Sequence, residues 1–126
     1  MFRTLLVEDN TSFRNTLHDM LHEQFPQVEV TEAGDGKSAL DSITEHRPDM
    51  VFMDIHLPDE NGLELACRIK TFDPSIVVII LTSHDMPEYR QAAFRNGASC
   101  YMCKKSIEPE DIIALIQGTM SYGIWY

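Results

Sequence analysis

The sequence predicts an α/β fold in which five strands and five helices alternate along a single domain. Short apolar runs recur through the chain. The run Ile76 to Leu81 is rich in β-branched residues, which is typical of a strand buried on both faces. The segments between these runs show helical spacing of apolar residues, and proline or glycine marks most boundaries. A chain of 126 residues with 44% hydrophobic residues can bury one core without disulfide bonds.

The predicted elements follow one another in strict alternation of strand and helix. In chain order they are strand 2–7, a helix from Asn10–Thr11 to Pro26, strand 28–33, a helix from Asp35 to His46, strand 50–53, helix 63–72, strand 76–81, a helix from Pro87 to Gly97, strand 100–103 and a helix from Pro109 to Thr119. Right-handed crossovers between parallel strands place such helices on both faces of the sheet.

Residues with known positional preferences indicate where the helices begin and end. Asn10 and Asp35 stand where a helix needs an N-cap acceptor. Pro87 and Pro109 suit the first helical position, where the missing N–H has no partner to lose. Gly97 suits the residue that follows a helix C-terminus. We therefore expect these residues to bound four of the five helices.

Polar side chains follow four of the five predicted strands. Glu8 and Asp9 follow the first strand, Asp54 the third, Thr82 the fourth and Lys104 the fifth. Ligand sites of open parallel sheets lie beyond the carboxyl ends of the strands, so these side chains should meet at one edge. Three carboxylates at close quarters repel one another, so a cation must sit among them or one must be protonated. Oxygen ligands with retained water favour Mg²⁺, and a carboxylate beside Mg²⁺ and a lysine can attack phosphorus.

With these residues in view, the chain resembles the receiver domain of two-component response regulators over essentially its whole length. The segments that carry the resemblance, in matching order and spacing, are Leu5–Asn10, Met53–Gly62, Ile80–Ser83, Gly97–Ala98 and Tyr101–Lys104. The resemblance implies a doubly wound, flavodoxin-like fold with a five-stranded parallel sheet in the order 2-1-3-4-5.

The resemblance also implies a phosphoacceptor site. Asp54 would accept a phosphoryl group from a phosphohistidine on a sensor histidine kinase. Asp9 would bind Mg²⁺, or Mn²⁺, directly, and Glu8 would do so largely through water. Asp54 and the backbone carbonyl of His56 would complete the protein ligands. Lys104 would pair with Asp54 and then with the phosphoryl group, so the domain would assist its own phosphorylation and dephosphorylation without being an enzyme in the ordinary sense.

Two further residues would act as a switch. Thr82 would hydrogen-bond a phosphoryl oxygen, and Tyr101 would turn inwards to fill the space that this movement leaves. Phosphorylation adds roughly −1.5 to −2 charges and three strong acceptors, which is enough to bias such a two-state element. The face formed by the fourth helix, fifth strand and fifth helix would then transmit the signal to an output domain that controls transcription.

Composition and charge suggest the cellular setting. The formal net charge of −10 disfavours direct binding of nucleic acid by this domain, because phosphate contacts need a basic patch. We expect no signal peptide and no membrane segment, since the longest apolar run is far shorter than the roughly 20 residues that span a bilayer. Three cysteines are too few for a disulfide framework and, with seven methionines, fit a reducing cytoplasm.

The carboxyl-terminal segment leaves several interpretations open. We expect the receiver domain to cover residues 1–119 and a connector or tail to cover residues 120–126. Gly118, Gly123 and Trp125 resemble the connector of regulators with a C-terminal helix-turn-helix domain. The apolar residues 124–126 either fold back on their own domain or belong to such a connector, or help two receivers to form a homodimer. The output domain is either part of the same protein or a separate one.

Two other classes of protein use parts of the same pattern. Phosphatases of the haloacid dehalogenase type also use a strand-end aspartate, but they place a second aspartate two residues later, where this chain has His56. A flavodoxin-like FMN carrier needs a loop rich in Ser, Thr and Gly after the first strand. Here that position holds Glu8 and Asp9, which would repel the flavin phosphate.

Smaller motifs predict little functional chemistry. The pair His18 and His22 has the i, i+4 spacing that could share a zinc ion, but such a pair is more often a solvated helix face. Cys100 and Cys103 lie three apart on a strand and so face opposite sides, which argues against shared metal ligation. Many receivers have proline after the conserved lysine. Here Lys105 takes that place, and we expect a trans bond because a non-proline cis bond costs about 3–4 kcal/mol.

Overall fold

A computed structural model describes residues 2–122 of the chain as five strands and five helices in alternation. The elements are β1 Arg3–Val7, α1 Thr11–Gln24, β2 Glu29–Ala33, α2 Gly36–His46, β3 Met50–Asp54, α3 Gly62–Phe72, β4 Val77–Thr82, α4 Pro87–Arg95, β5 Cys100–Cys103 and α5 Pro109–Tyr122. All strand pairs are parallel, and the strand order is β2-β1-β3-β4-β5. The predicted fold class and strand order are therefore confirmed.

The core consists of two apolar layers, one on each face of the sheet. Alternate residues of the central strands point to opposite faces. In β1, Leu5 packs in the layer that also contains Ile43 of α2 and Ile69 of α3. Its neighbour Leu6 packs in the other layer, with residues of α1 and α5. Strands β3 and β4 are buried at every position because helices cover both of their faces.

The residues predicted to bound the helices do so. The Asn10 side chain accepts a hydrogen bond from the Phe13 N–H at 3.0 Å, and Asp35 accepts one from the Ser38 N–H at 2.8 Å. Pro87 and Pro109 are the first residues of α4 and α5. Gly97 follows α4 with a φ of 96°, in the region that favours glycine. These local signals were readable from the sequence because capping depends on only a few neighbouring residues.

The last helix is longer than predicted. Helix α5 continues to Tyr122 instead of ending near Thr119. Thr119 is buried, and its hydroxyl donates to the Leu115 carbonyl at 2.9 Å, so it lies inside the helix and not at its end. The expected boundary between residues 119 and 120 thus falls inside α5. The apolar residues Ile124, Trp125 and Tyr126 lie outside the described residues.

Three smaller expectations can also be compared with the structure. The Lys104–Lys105 peptide bond is trans, as predicted. Cys67, Cys100 and Cys103 are free thiols. Between residues 2 and 122, no helix is both long enough and apolar enough to cross a membrane.

We predict that Gly97→Ala lowers the free energy of unfolding by about 1–2 kcal/mol, because an alanine resists this left-handed backbone. The added Cβ would also lie 2.8 Å from Cγ of Lys70. Gly34→Ala is the control, since its added Cβ would meet nothing closer than the flexible Arg14 guanidinium at 3.4 Å. Urea unfolding of both variants measures the difference, and equal stability of the two would contradict the prediction.

Candidate functional site

The carboxyl ends of the strands bring the predicted site residues to one edge of the sheet. Asp54 and Thr82 are the last residues of β3 and β4, and Glu8, Asp9 and Lys104 directly follow β1 and β5. Because β1 and β3 are neighbours, carboxylate oxygens of Glu8, Asp9 and Asp54 lie within 4.8 Å of one another. Glu8 and Asp54 are buried, whereas Asp9 is exposed. The structure thus assembles the three carboxylates that the sequence placed together.

Lys104 binds two of these carboxylates. Its Nζ lies 3.2 Å from Oδ2 of Asp54 and also pairs with Oε1 of Glu8. The ammonium group stands 4.8 Å from the centre of the Phe13 ring, and the Lys104 backbone N–H donates to the Thr82 carbonyl at 2.8 Å. The pairing with Asp54 was expected, but the pairing with Glu8 was not. One ammonium among three carboxylates leaves an excess of negative charge, which suits a divalent cation.

Burial raises the pKa of Glu8 above its usual range, and the nearby charge of Asp54 acts in the same direction. Two hydrogen bonds oppose this shift. Lys104 donates to Oε1, and the Asn10 backbone N–H donates to Oε2 at 3.1 Å. The raised pKa shows that the surroundings disfavour the charged form of Glu8, and a bound cation would relieve that cost. The oxygen-only donor set of the three carboxylates fits a hard cation such as Mg²⁺.

The loop between β3 and α3 folds tightly around Asp54. The His56 N–H donates to Oδ1 of Asp54 in a long contact of 3.4 Å. The Gly62 N–H donates to the Ile55 carbonyl at 2.7 Å, and His56 forms an isolated bridge with Asn61. A Cβ on Gly62 would lie only 2.1 Å from the Asp54 carbonyl oxygen, so this position requires glycine. The loop therefore holds the Asp54 carboxylate and the His56 backbone close together.

The two residues predicted to form the switch meet at the carbonyl of His84. Thr82 is fully buried, and its Oγ1 donates to the His84 carbonyl at 3.3 Å while accepting from the His84 N–H at 3.1 Å. The Tyr101 hydroxyl donates to the same carbonyl at 3.3 Å. The Tyr101 ring is buried, and this burial raises the pKa of its hydroxyl. Thr82 and Tyr101 are thus linked through one backbone oxygen.

Two aromatic side chains contact the ring of His56, which lies two residues after Asp54. The ring of His84 stands edge-on to the ring of His56, with a centroid distance of 5.2 Å. Tyr89 of α4 stands edge-on to His56 at 5.7 Å. Sequence reasoning missed Tyr89, because a tyrosine in a partly exposed helix carries no local signal of its contacts.

The smaller motifs do not add ligands to this site. His18 and His22 stack on α1 with ring centroids 6.1 Å apart. Within the described part of the chain, Glu8, Asp9 and Asp54 are the only group of three or more candidate metal ligands that converge.

Comparison with known proteins gives consistent matches. A family model of the response regulator receiver domain matches residues 4–117. The chain is 35% identical over 120 residues to the virulence transcriptional regulatory protein PhoP of Salmonella choleraesuis (strain SC-B67), which covers 95% of this chain and 52% of PhoP. It is 34% identical over 113 residues to the chemotaxis protein CheY of Halobacterium salinarum, which covers 90% of this chain and 92% of CheY.

A solved structure agrees with these matches. A two-component response regulator of the LuxR family from Aurantimonas sp. SI85-9A1 is 32% identical, with a TM-score of 0.83, and the match covers 94% of this chain and 84% of that one. The chain therefore spans about half the length of PhoP, but nearly the full length of CheY.

We predict that Asp9→Asn raises the free energy of unfolding by about 1 kcal/mol in buffer containing a chelator, because it removes one of three repelling carboxylates. The stabilisation that Mg²⁺ gives by binding the native state should shrink in this variant. Thermal unfolding with and without Mg²⁺ measures both effects. Asp41→Asn, an exposed substitution in α2, controls for the change in net charge. Equal responses of the two variants to Mg²⁺ would contradict the prediction.

Proposed function

The chain belongs to the response regulator receiver domain family, and on this premise we propose that Asp54 is its phosphoacceptor. The donor is a phosphohistidine on a sensor histidine kinase. One observation carries the proposal. The buried Asp54 carboxylate lies 3.2 Å from the Lys104 ammonium and next to the carboxylates of Glu8 and Asp9. The domain works as a phosphorylation-dependent switch and not as an enzyme that turns over a separate substrate.

The chemistry at Asp54 is an in-line displacement at phosphorus. A carboxylate oxygen of Asp54 forms the new P–O bond while the P–N bond to the kinase histidine breaks, and the electron pair of that bond stays with the imidazole. Lys104 is held beside Asp54, where its ammonium balances charge on the equatorial oxygens of the phosphoryl group. Attack by water later releases phosphate and returns the Asp54 carboxylate.

The metal site uses oxygen atoms only. We propose that Glu8, Asp9, Asp54 and the backbone carbonyl of His56 hold Mg²⁺, which Mn²⁺ can replace. When bound, the cation neutralises charge on the phosphoryl oxygens. Asp9 is the exposed member of the three carboxylates and is free of ion pairs among the described residues, so it is available as a direct ligand. Glu8 is engaged by Lys104, which supports a role through water for its carboxylate.

In the proposed switch, the structural response to phosphorylation depends on the hydroxyl of Thr82. A phosphoryl group on Asp54 offers stronger acceptors than the His84 carbonyl, so the Thr82 hydroxyl turns towards it and releases the β4–α4 loop. Because Tyr101 bonds the same carbonyl, movement of this loop also changes the surroundings of Tyr101. The two residues therefore respond together, and the face formed by α4, β5 and α5 carries the change.

The comparisons suggest the setting of this switch. PhoP is named as a transcriptional regulatory protein, which supports control of a transcription-regulating output domain. CheY, which is matched over 92% of its length, is named as a chemotaxis protein, and a separate output protein is the alternative to an output domain in the same chain. We propose that the domain works in the cytoplasm. A homodimer of two receivers is a further possible arrangement. The net charge of −10 argues that this domain does not contact nucleic acid or a membrane surface itself.

Asp54→Asn should abolish phosphorylation by acetyl phosphate, because the amide is not nucleophilic at phosphorus. Intact-mass spectrometry should show one added phosphoryl group on the unaltered protein and none on the variant. The unaltered protein should also remain unlabelled in excess EDTA. Asp41→Asn is the matched control and should be labelled normally. Labelling of the Asp54→Asn variant at the ordinary rate would refute the assignment.

Thr82→Ala should leave phosphorylation largely intact but weaken the structural response, because the variant has no hydroxyl to follow the phosphoryl group. Amide hydrogen exchange before and after phosphorylation should show changes across α4, β5 and α5 in the unaltered protein, and much smaller ones in the variant. Changes confined to α1 and α2 would argue against this output face.

A further inference from the structure

The loop between β3 and α3 is tied to the start of a different helix. Oδ1 of Asp59, in that loop, accepts a hydrogen bond from the Gly36 N–H at 2.8 Å, and Oδ2 accepts one from the Lys37 N–H at 3.1 Å. Both donors belong to the first turn of α2, whose N–H groups have no partner within the helix. Bonds from backbone N–H groups to a carboxylate are charge-assisted, and the helix dipole strengthens them.

Glu60, the next residue of the loop, also packs against the start of α2. A Cβ on Gly36 would lie 2.5 Å from Oε2 of Glu60, so the Glu60 side chain lies directly against the backbone of α2. Arg68 of α3 holds Glu60 there, with its Nη1 at 2.7 Å from Oε1 of Glu60. Two consecutive loop residues thus rest on the first residue of α2, and Gly36 is buried between them.

Helix α2 already has an N-cap of its own. Asp35 accepts from the Ser38 N–H at 2.8 Å, as an ordinary N-cap does. Asp59 bonds the two preceding N–H groups, those of Gly36 and Lys37, whereas the Asp35 side chain bonds that of Ser38. The contact from Asp59 therefore constrains the loop in addition to capping the helix. The hydrogen bond from Gly36 also lowers the pKa of Asp59, because it stabilises the charged carboxylate.

The position of this loop matters because it carries His56. At its base, the loop is fixed by the bridge between His56 and Asn61 and by the hydrogen bond from Gly62 to Ile55. Towards its middle, the contacts of Asp59 and Glu60 fix it to α2. Helix α2 in turn packs on β1, the strand that Glu8 and Asp9 directly follow. A continuous set of contacts therefore connects the loop backbone with the acidic pair.

We propose that Asp59 is a positioning residue for the metal site. It fixes the His56 carbonyl relative to the carboxylates of Glu8, Asp9 and Asp54, with α2 as the anchor. This inference rests on the proposed function, which makes the His56 carbonyl a Mg²⁺ ligand. Mg²⁺ demands nearly ideal octahedral geometry, so a loop that shifts or fluctuates weakens its binding.

Calorimetric titration with Mg²⁺ tests the proposal without any phosphorylation. Asp59→Ala should raise the dissociation constant for Mg²⁺ by about tenfold, the lower end of the effect of removing a partner that orients a metal ligand. Asp59→Asn retains one acceptor oxygen and should recover part of the affinity. Asp35→Ala is the matched control, because it removes the other carboxylate at the same helix end. It should lower the melting temperature and leave Mg²⁺ binding unchanged.

A second readout separates positioning from general destabilisation. In acetyl phosphate labelling, Asp59→Ala should need more Mg²⁺ to reach half of its maximal rate, while the rate at saturating Mg²⁺ stays close to that of the unaltered protein. A Mg²⁺ dissociation constant within twofold of the unaltered value in both Asp59 variants would overturn the proposal. An equal loss of affinity in Asp35→Ala would overturn it as well. If Mg²⁺ binds but Asp54 is never labelled, the proposed function fails while the comparison of Asp59 with Asp35 still stands.

Discussion

The mutual repulsion of three carboxylates at one edge of the sheet is the interaction on which the rest of this site depends. Glu8 and Asp54 are buried, and Asp9 stands beside them. Burying like charges is costly unless they are paired. Lys104 offsets part of the cost by pairing with Glu8 and Asp54, but one ammonium cannot balance three carboxylates. The remaining negative charge favours a divalent cation. On the proposed function, that cation and Lys104 together would attract a phosphoryl group to this edge.

The fold limits the cost of burying these charges, because the polar groups lie only where the strands end. Strands β3 and β4 are buried throughout, and their last residues, Asp54 and Thr82, are the points at which the chain leaves the core. A parallel sheet brings such ends to the same edge. The same arrangement couples the site to the surface, since Thr82 and Tyr101 share the His84 carbonyl in the loop that leads to α4. Only a few contacts therefore separate Asp54 from the loop that leads to α4 and from Tyr101 of β5.

Much of this could be predicted from the sequence, for reasons that differ between residues. Strands such as β4 are continuous apolar runs, and caps such as Asn10 and Asp35 act on residues only three positions away, so local patterns were sufficient. The convergence of Glu8, Asp9 and Asp54 followed from parallel topology alone. The family match then favours a receiver over the phosphatase and flavin-carrier interpretations.

The rest could not be predicted, because it depends on contacts between segments distant in the sequence. The pairing of Lys104 with Glu8 depends on the conformation of the lysine side chain, which the sequence does not indicate. The bonds from α2 to Asp59 join residues more than twenty positions apart, and no periodicity signals them. The extension of α5 to Tyr122 lies between two glycines, Gly118 and Gly123, which lower the helix propensity of this segment, so the sequence carries no local signal for the last turn.

The most direct test of the phosphoacceptor assignment is to locate the acyl phosphate chemically. Reduction of the phosphorylated protein with borohydride converts a phosphorylated aspartate to homoserine, which peptide mass spectrometry can place in the chain. The structure predicts homoserine at position 54 alone, formed only when Mg²⁺ is present during phosphorylation. Homoserine at position 9, or at another acidic residue in place of 54, would contradict the account of this site.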